Sequence, residues 1–385
     1  MKKSMSKLTI LVVLVFNCAL SVYAQPRDIR RIAQIDSVVS KVMEENKIVG
    51  LSLGIVKNGE IFYLKGYGTR EVRKEEPVDS FTNFLTCSIS KLFTATAIMQ
   101  LVEKGKIDIS KKLTEYVPDF VMKDPRYKDI TIEQMLTHTS GLPNIFNTNY
   151  IHPKNDSTTL TEFAKKLAQE KLKYEPGVQL SEKTYSNTAY NILGLVIEKV
   201  SHQTYSQYIS EHILEPVGMD SSSFFYKKIP AARRSKPHQK NWLTGKIKKS
   251  NYYPDIPQDK PCGNLNSCSY DLCRWMQHNL SIYNLTNTTK GVLKRKTLVD
   301  MWTTKKEIPP YKTTMGLGWW IVPSEKYGKY VFHVGNDPGF SATLNIFPGN
   351  DFGIVLLCNA LYPKDIVWNK LPFEIISLFS EGWKK

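Results

Sequence analysis

Cysteine is scarce in this chain: six residues in 385, one of them within the first 24. The other five, Cys87, Cys262, Cys268, Cys273 and Cys358, are an odd number, so complete pairing within one chain is excluded. Their spacing matches no zinc pattern. Cys262 and Cys268 are close enough to bridge across a loop, or to stand as two free buried thiols. Cys87 has no base beside it in sequence and reads as a packing residue. Internal repeats and low-complexity tracts are missing too, which excludes solenoid and disordered classes. Acidic residues are few against basic ones, 36 to 52, for a formal charge of +16. No helix-turn-helix, zinc-finger or aromatic RNA-binding motif accompanies that charge, and the lysines are scattered. Nucleic acid is therefore not an expected partner.

What is present begins with a leader. Lys2, Lys3 and Lys7 precede an apolar run over 8–20, and Val22-Tyr23-Ala24 is a small-residue cleavage site before Gln25. The run is too short to favour a permanent span, so a membrane contact is expected only if the leader stays uncleaved. Cys18 would suit a lipidation site, but Asn17 before it fits one poorly. Residues 1–24 thus read as a signal peptide, and the protein as periplasmic or secreted. Losing three lysines leaves a formal charge of about +13. A basic exported protein suits an anionic envelope.

A helix is expected over 35–45 and a hairpin over 51–68, turning at Asn58-Gly59. Gly50-Leu51-Ser52-Leu53-Gly54 spells a nucleophile elbow, but an elbow needs a strand entering a helix. Here the stretch enters a hairpin, so Ser52 is rejected as nucleophile. Thr131 caps a further helix that Gly141 closes, with His138 packing near its C-terminal end rather than serving as a base. The stretch 160–300 is mostly helical by period. Strands follow at 316–322, 330–335, 341–347 and 353–358, joined by tight turns that imply an antiparallel sheet, and a helix at 367–379 closes the chain.

Three motifs carry chemistry. Ser88-Ile89-Ser90-Lys91 opens a helix whose apolar period runs through Leu92, Ala95, Ile98, Met99 and Val102. A spacing of three puts Ser88 and Lys91 on one face of its first turn, where a desolvated amine can take the hydroxyl proton. The positive helix end favours negative charge developing at Ser88. A second copy, Ser4-Met5-Ser6-Lys7, lies in the leader and is noise. Tyr185-Ser186-Asn187 sits on the entry to a helix that begins near Asn187. A phenol there can relay protons, and an amide can orient a substrate carbonyl or hold the lysine. His333-Val334-Gly335-Asn336 lies in a strand. Gly335 lets substrate approach the backbone, Asn336 offers an oxyanion N–H beside that of Ser88, and His333 can bind a carboxylate or assist proton transfer.

In that order, the three motifs resemble those of the serine β-lactamase-like family, of the class C β-lactamase and DD-peptidase type. Leu136-Thr137-His138-Thr139-Ser140-Gly141-Leu142, Pro216-Val217-Gly218-Met219, Gly316-Leu317-Gly318-Trp319-Trp320 and Pro338-Gly339-Phe340 are similar to its connecting segments. The resemblance implies an α+β fold: an antiparallel sheet flanked by helices, built from both chain ends, with an inserted all-helical domain. On this sequence the sheet domain falls at 25–85 and 300–385, and the mainly helical one at 86–299. It further implies acylation of Ser88, with Lys91 and Tyr185 as the proton-transfer pair. Asn187, His333, Gly335 and Asn336 would bind substrate, with no metal or organic cofactor. The partner is then a small molecule or peptide: a cell-wall peptide, a β-lactam or an ester. Where class C β-lactamases usually carry Lys-Thr-Gly, this chain has His333-Val334-Gly335. A histidine there is similar to some DD-carboxypeptidases, D-amino-acid peptidases and esterase-like members. A D-amino-acid peptidase is therefore the leading expectation, with a β-lactamase or esterase of the same mechanism and a silent penicillin-binding protein as alternatives.

Overall fold

The computed structural model describes residues 26–145, 157–241, 243–286, 291–360 and 365–384. The leader at 1–24 lies outside the described residues. Helix α1, Pro26–Asn46, starts nine residues before the expected point, with proline at its first position, where a missing N–H costs nothing. Ile35, Val39 and Val42 of this helix are buried and Ile32 packs beside them, while Ile29 in the first turn is exposed.

The hairpin of β1, Gly50–Lys57, and β2, Glu60–Gly68, turns at Asn58-Gly59, both at positive φ. Later come helices α2, Ser90–Glu103, α3, Asn187–Ser201, and α4, Ser269–Asn284. The strands β3, Lys306–Glu307, β4, Thr314–Met315, β5, Trp320–Ser324, β6, Gly328–Asp337, β7, Phe340–Phe347, and β8, Phe352–Cys358, follow. They complete an eight-stranded sheet of order β2-β1-β8-β7-β6-β5-β4-β3. All neighbours are antiparallel. The N-terminal hairpin therefore joins the sheet beside the last strand.

Strand alternation divides the core. Leu51, Leu53, Ile55, Ile354 and Leu356 face α1 and a closing helix α5, Leu371–Ser377, while Val56, Val355 and Leu357 face the helical side. Leu53 lies directly opposite Leu356, and burying each such side chain contributes roughly 1.5–3 kcal/mol. Helix α4 comes close at Gly54: a Cβ there would sit 2.4 Å from Cys273 Sγ. Ser52 is fully buried, its Oγ 2.7 Å from Ser269 Oγ, so it is a packing residue of β1. Helix α2 is buried from Ser90 through Leu101 and packs against α3, while α4 lies on the sheet against β1 and β8.

Three expectations need correction. The strand expected from residue 316 begins at Trp320, because Gly316 to Gly318 form a tight turn in which Gly316 N–H donates to Trp319 O and Gly318 takes φ 81°. Within the stretch expected to be mostly helical, His238–Lys240 also pairs with Ile247–Lys249, and Asn266–Ser267 pairs with Phe84–Leu85 outside it. The last helix opens with a wider turn over Ile366–Lys370, at the point where Pro372 withholds its N–H from the ladder. The helix capped by Thr131 ends at Leu136 rather than Gly141. Thr137 Oγ1 donates back to Glu133 O, and His138 leaves helical space at φ 56°. Of the two readings left open for Cys262 and Cys268, the structure has the second: both are free and buried, and burial holds their thiols well above the usual range.

Candidate active site

Ser88 sits in a single 3-10 turn, Cys87–Ile89, that runs into α2, one step outside the α-helix proper. Cys87 before it holds φ 52°, a left-handed conformation unusual for a residue with a side chain. Neighbours fix that conformation. Ser90 Oγ donates to Cys87 O at 2.7 Å and accepts from Leu265 N–H at 3.0 Å. Thr86 N–H and Oγ1 both donate to Leu265 O. Strain held this tightly beside a nucleophile is a common feature of functional turns. Lys91 is fully buried one turn on. Its Nζ donates to Ser88 Oγ at 3.0 Å and to Cys262 O at 2.6 Å, so the amine is aimed at the hydroxyl. Cys262 O is a functional group that sequence reading missed, since a main-chain carbonyl leaves no side-chain signature.

Tyr185 lies between a short turn, Glu182–Thr184, and α3. Its ring centroid is 5.0 Å from Lys91 Nζ. Asn144, also missed, clamps this loop: Nδ2 donates to Tyr185 O at 2.5 Å, and Oδ1 accepts from Asn187 N–H at 2.6 Å. His138 stacks against Tyr185 with centroids 4.1 Å apart, and its Nδ1 accepts from Ser186 N–H at 3.2 Å. Burial first, then Lys91 and His333, hold the His138 imidazole well below its ordinary range. It is a neutral ring that packs under Tyr185. Asn187 Oδ1 is buried and has no partner among the described residues, which leaves an acceptor for the lysine or a substrate N–H. Tyr185→Phe is expected to lower kcat/KM roughly 10²-fold or more through loss of proton relay, measured by steady-state kinetics.

On β6, Gly335 backs the nucleophile turn. A Cβ at Gly335 would lie 2.4 Å from Thr86 O and 3.0 Å from Ser88 N. Trp368 Nε1 donates to Gly335 O at 3.2 Å and fixes the strand from the other side. His333 is buried. Its Nδ1–H donates to Val334 O at 2.7 Å, leaving Nε2 as an acceptor with no partner among the described residues. Burial, with Lys91 second, lowers its pKa to about 3. His333 is therefore a neutral ring in this site, with Nε2 as its free acceptor.

This shift has a stability consequence. Between pH 6.5 and 3 the unfolded His333 binds a proton that the folded one refuses, so its contribution is full above pH 6.5 and declines as pH falls. His333→Asn removes that linkage. Wild type should therefore lose about 2 kcal/mol relative to the variant from pH 7 to pH 5, measured by urea unfolding at both.

Ser88, Tyr185, His333 and Asn336 line one cavity of about 480 Å³, with Lys91 behind Ser88, Gly335 beneath it and Asn187 one residue beyond the Tyr185 loop. Four aromatic residues, Tyr311, Trp320, Phe332 and Trp368, share the lining with Glu182. Sequence reading placed none of these five in the site.

A buried amine on a serine hydroxyl, with a phenol beside it and a glycine strand behind, is the geometry expected of a serine acyl-transfer site. The family model described as Beta-lactamase matches residues 35–374. The chain belongs to the beta-lactamase family. It is similar to Protein flp of Staphylococcus aureus (strain MW2), 29% identical over 328 residues, covering 85% of this chain and 62% of that protein. The chain thus spans less than two thirds of the length of that relative. "Putative penicillin-binding protein PbpX" of Bacillus subtilis (strain 168) is 30% identical over 321 residues, covering 83% of this chain and 72% of that one. Among solved structures, an octameric penicillin-binding protein homologue from Pyrococcus abyssi superposes with TM-score 0.74 at 26% identity, over 89% of this chain and 77% of that one. A class C beta-lactamase superposes with TM-score 0.75 at 19% identity, over 94% and 99%, which shows the shared fold. Mixed helices and an antiparallel sheet are thus this chain's fold as a beta-lactamase family member.

Proposed function

We propose that this beta-lactamase family chain is an exported serine hydrolase that works through an acyl-enzyme at Ser88, of the D-amino-acid peptidase or DD-carboxypeptidase type. One observation carries the reading: fully buried Lys91 places Nζ 3.0 Å from Ser88 Oγ and 2.6 Å from Cys262 O. In the proposed reaction Ser88 Oγ bonds to an amide or ester carbonyl carbon while Lys91 takes its proton. The N–H groups of Ser88 and Asn336 stabilise the carbonyl oxygen as it gains charge. Tyr185 passes the proton to the departing amine or alkoxide as the C–N or C–O bond breaks. Water then attacks the acyl-serine, freeing a carboxylic acid and restoring the hydroxyl. Asn187 Oδ1 and His333 Nε2 are acceptors available to a substrate N–H.

A second reading, an esterase or β-lactamase of the same mechanism, is favoured by neutral His333, which offers no charge to a substrate carboxylate. A panel of a D-Ala-D-Ala peptide, a chromogenic cephalosporin and a short-chain nitrophenyl ester separates the two. Ser88-dependent release of D-Ala above the other rates supports the peptidase. Faster ester or cephalosporin turnover supports the second reading, and no turnover of any of the three contradicts both.

A further inference from the structure

The walls of the cavity bear on the substrate itself, an inference that rests on the acyl-enzyme reading above. Trp320 on β5 and Phe332 on β6 are directly opposed across the ladder. Trp320 lies 6.4 Å from the Tyr185 ring at an interplanar angle of 14°, nearly parallel to it. Trp368 is fixed by its hydrogen bond to Gly335 O, and so is held in register with the strand that backs Ser88. Tyr311, 62% exposed, closes the rim. These rings come from separate segments and line the same cavity as Ser88. Against them, the lining includes one carboxylate, Glu182, and no lysine or arginine among the described residues.

We propose that Ser88 acts on amides or esters carrying an aromatic or branched apolar group, seated between Tyr311, Trp320, Phe332 and Trp368, and bearing no carboxylate at its far end. An apolar group gains by leaving water for this cavity, whereas a carboxylate loses hydration against the rings and meets the like charge of Glu182. A neutral end meets no such penalty, and a cationic one recovers part of its lost hydration from the ring faces and Glu182.

The test uses three 4-nitrophenyl esters with the full chain: the acetate, the phenylacetate and the 4-carboxyphenylacetate, each rate corrected for spontaneous hydrolysis. Wild type should show kcat/KM for the phenylacetate about tenfold or more above the acetate, and about tenfold or more above the carboxylated ester. Tyr311→Ala should narrow the first ratio and Glu182→Gln the second, changes in selectivity that a general loss of packing would not produce. Ser88-dependent turnover with the acetate equal to the phenylacetate, or with the carboxylated ester fastest, overturns this inference alone. Turnover that survives Ser88→Ala, or no turnover of any ester, overturns it together with the acyl-enzyme reading.

Discussion

Ser88→Ala is expected to lower kcat/KM by roughly 10⁵-fold or more on whichever ester or amide the wild type turns over. The reasoning is local. Lys91 Nζ donates to Ser88 Oγ and to Cys262 O, and removing the hydroxyl leaves the amine with nothing to activate. Lys91→Met is expected to cost nearly as much, because an unassisted serine hydroxyl is a weak nucleophile. Methionine fills a similar volume without charge, so the variant also spares the core a buried unpaired amine. The two residues act as one unit. The double variant should therefore lose little beyond either single variant, a non-additivity that steady-state kinetics on the four proteins will read directly. Additive losses would mean that lysine and serine serve separate steps.

Gly335→Ala is expected to cost both activity and stability. Its Cβ would stand 2.4 Å from Thr86 O, 2.9 Å from Cys87 Cβ and 3.0 Å from Ser88 N. Those atoms belong to the turn that holds the nucleophile, and most are main chain, so no side chain can rotate away. Either β6 backs off or the turn moves, and a displacement near 1 Å at a reacting group costs about 10² in rate. Overpacking adds an expected loss of about 1–3 kcal/mol in stability. Gly349→Ala is the control, since nothing lies within 4 Å of its Cβ. Urea unfolding together with kcat/KM on both variants checks the prediction; equal behaviour of the two would contradict it.

The parts of this protein that could be read from sequence are those set by short spacing. Ser88 and Lys91 share a face whether the turn between them is 3-10 or α, so three-residue separation was enough. Strand alternation through Leu51, Leu53 and Ile55 likewise reports burial with no knowledge of the partner strand. Asn58-Gly59 marked its turn by the positive φ it requires. What could not be read is assembled from a distance. Cys262 O reaches Lys91 across 171 positions as a main-chain atom. Asn144 joins a loop 41 residues away. Trp320 was visible only as part of a connecting motif, and its role as a wall depends on Phe332 opposite and on Tyr185 stacked nearby. Histidine charge also escaped the sequence: His333 is neutral because it is buried near Lys91, and neither fact is local.

The most direct test is to label the intact protein with a penicillin or a fluorophosphonate and map the modified peptide by mass spectrometry. One adduct, on the peptide that carries Ser88 and absent from Ser88→Ala, is the predicted result. An adduct on any other serine, or hydrolysis that continues with Ser88 unlabelled, would contradict the account.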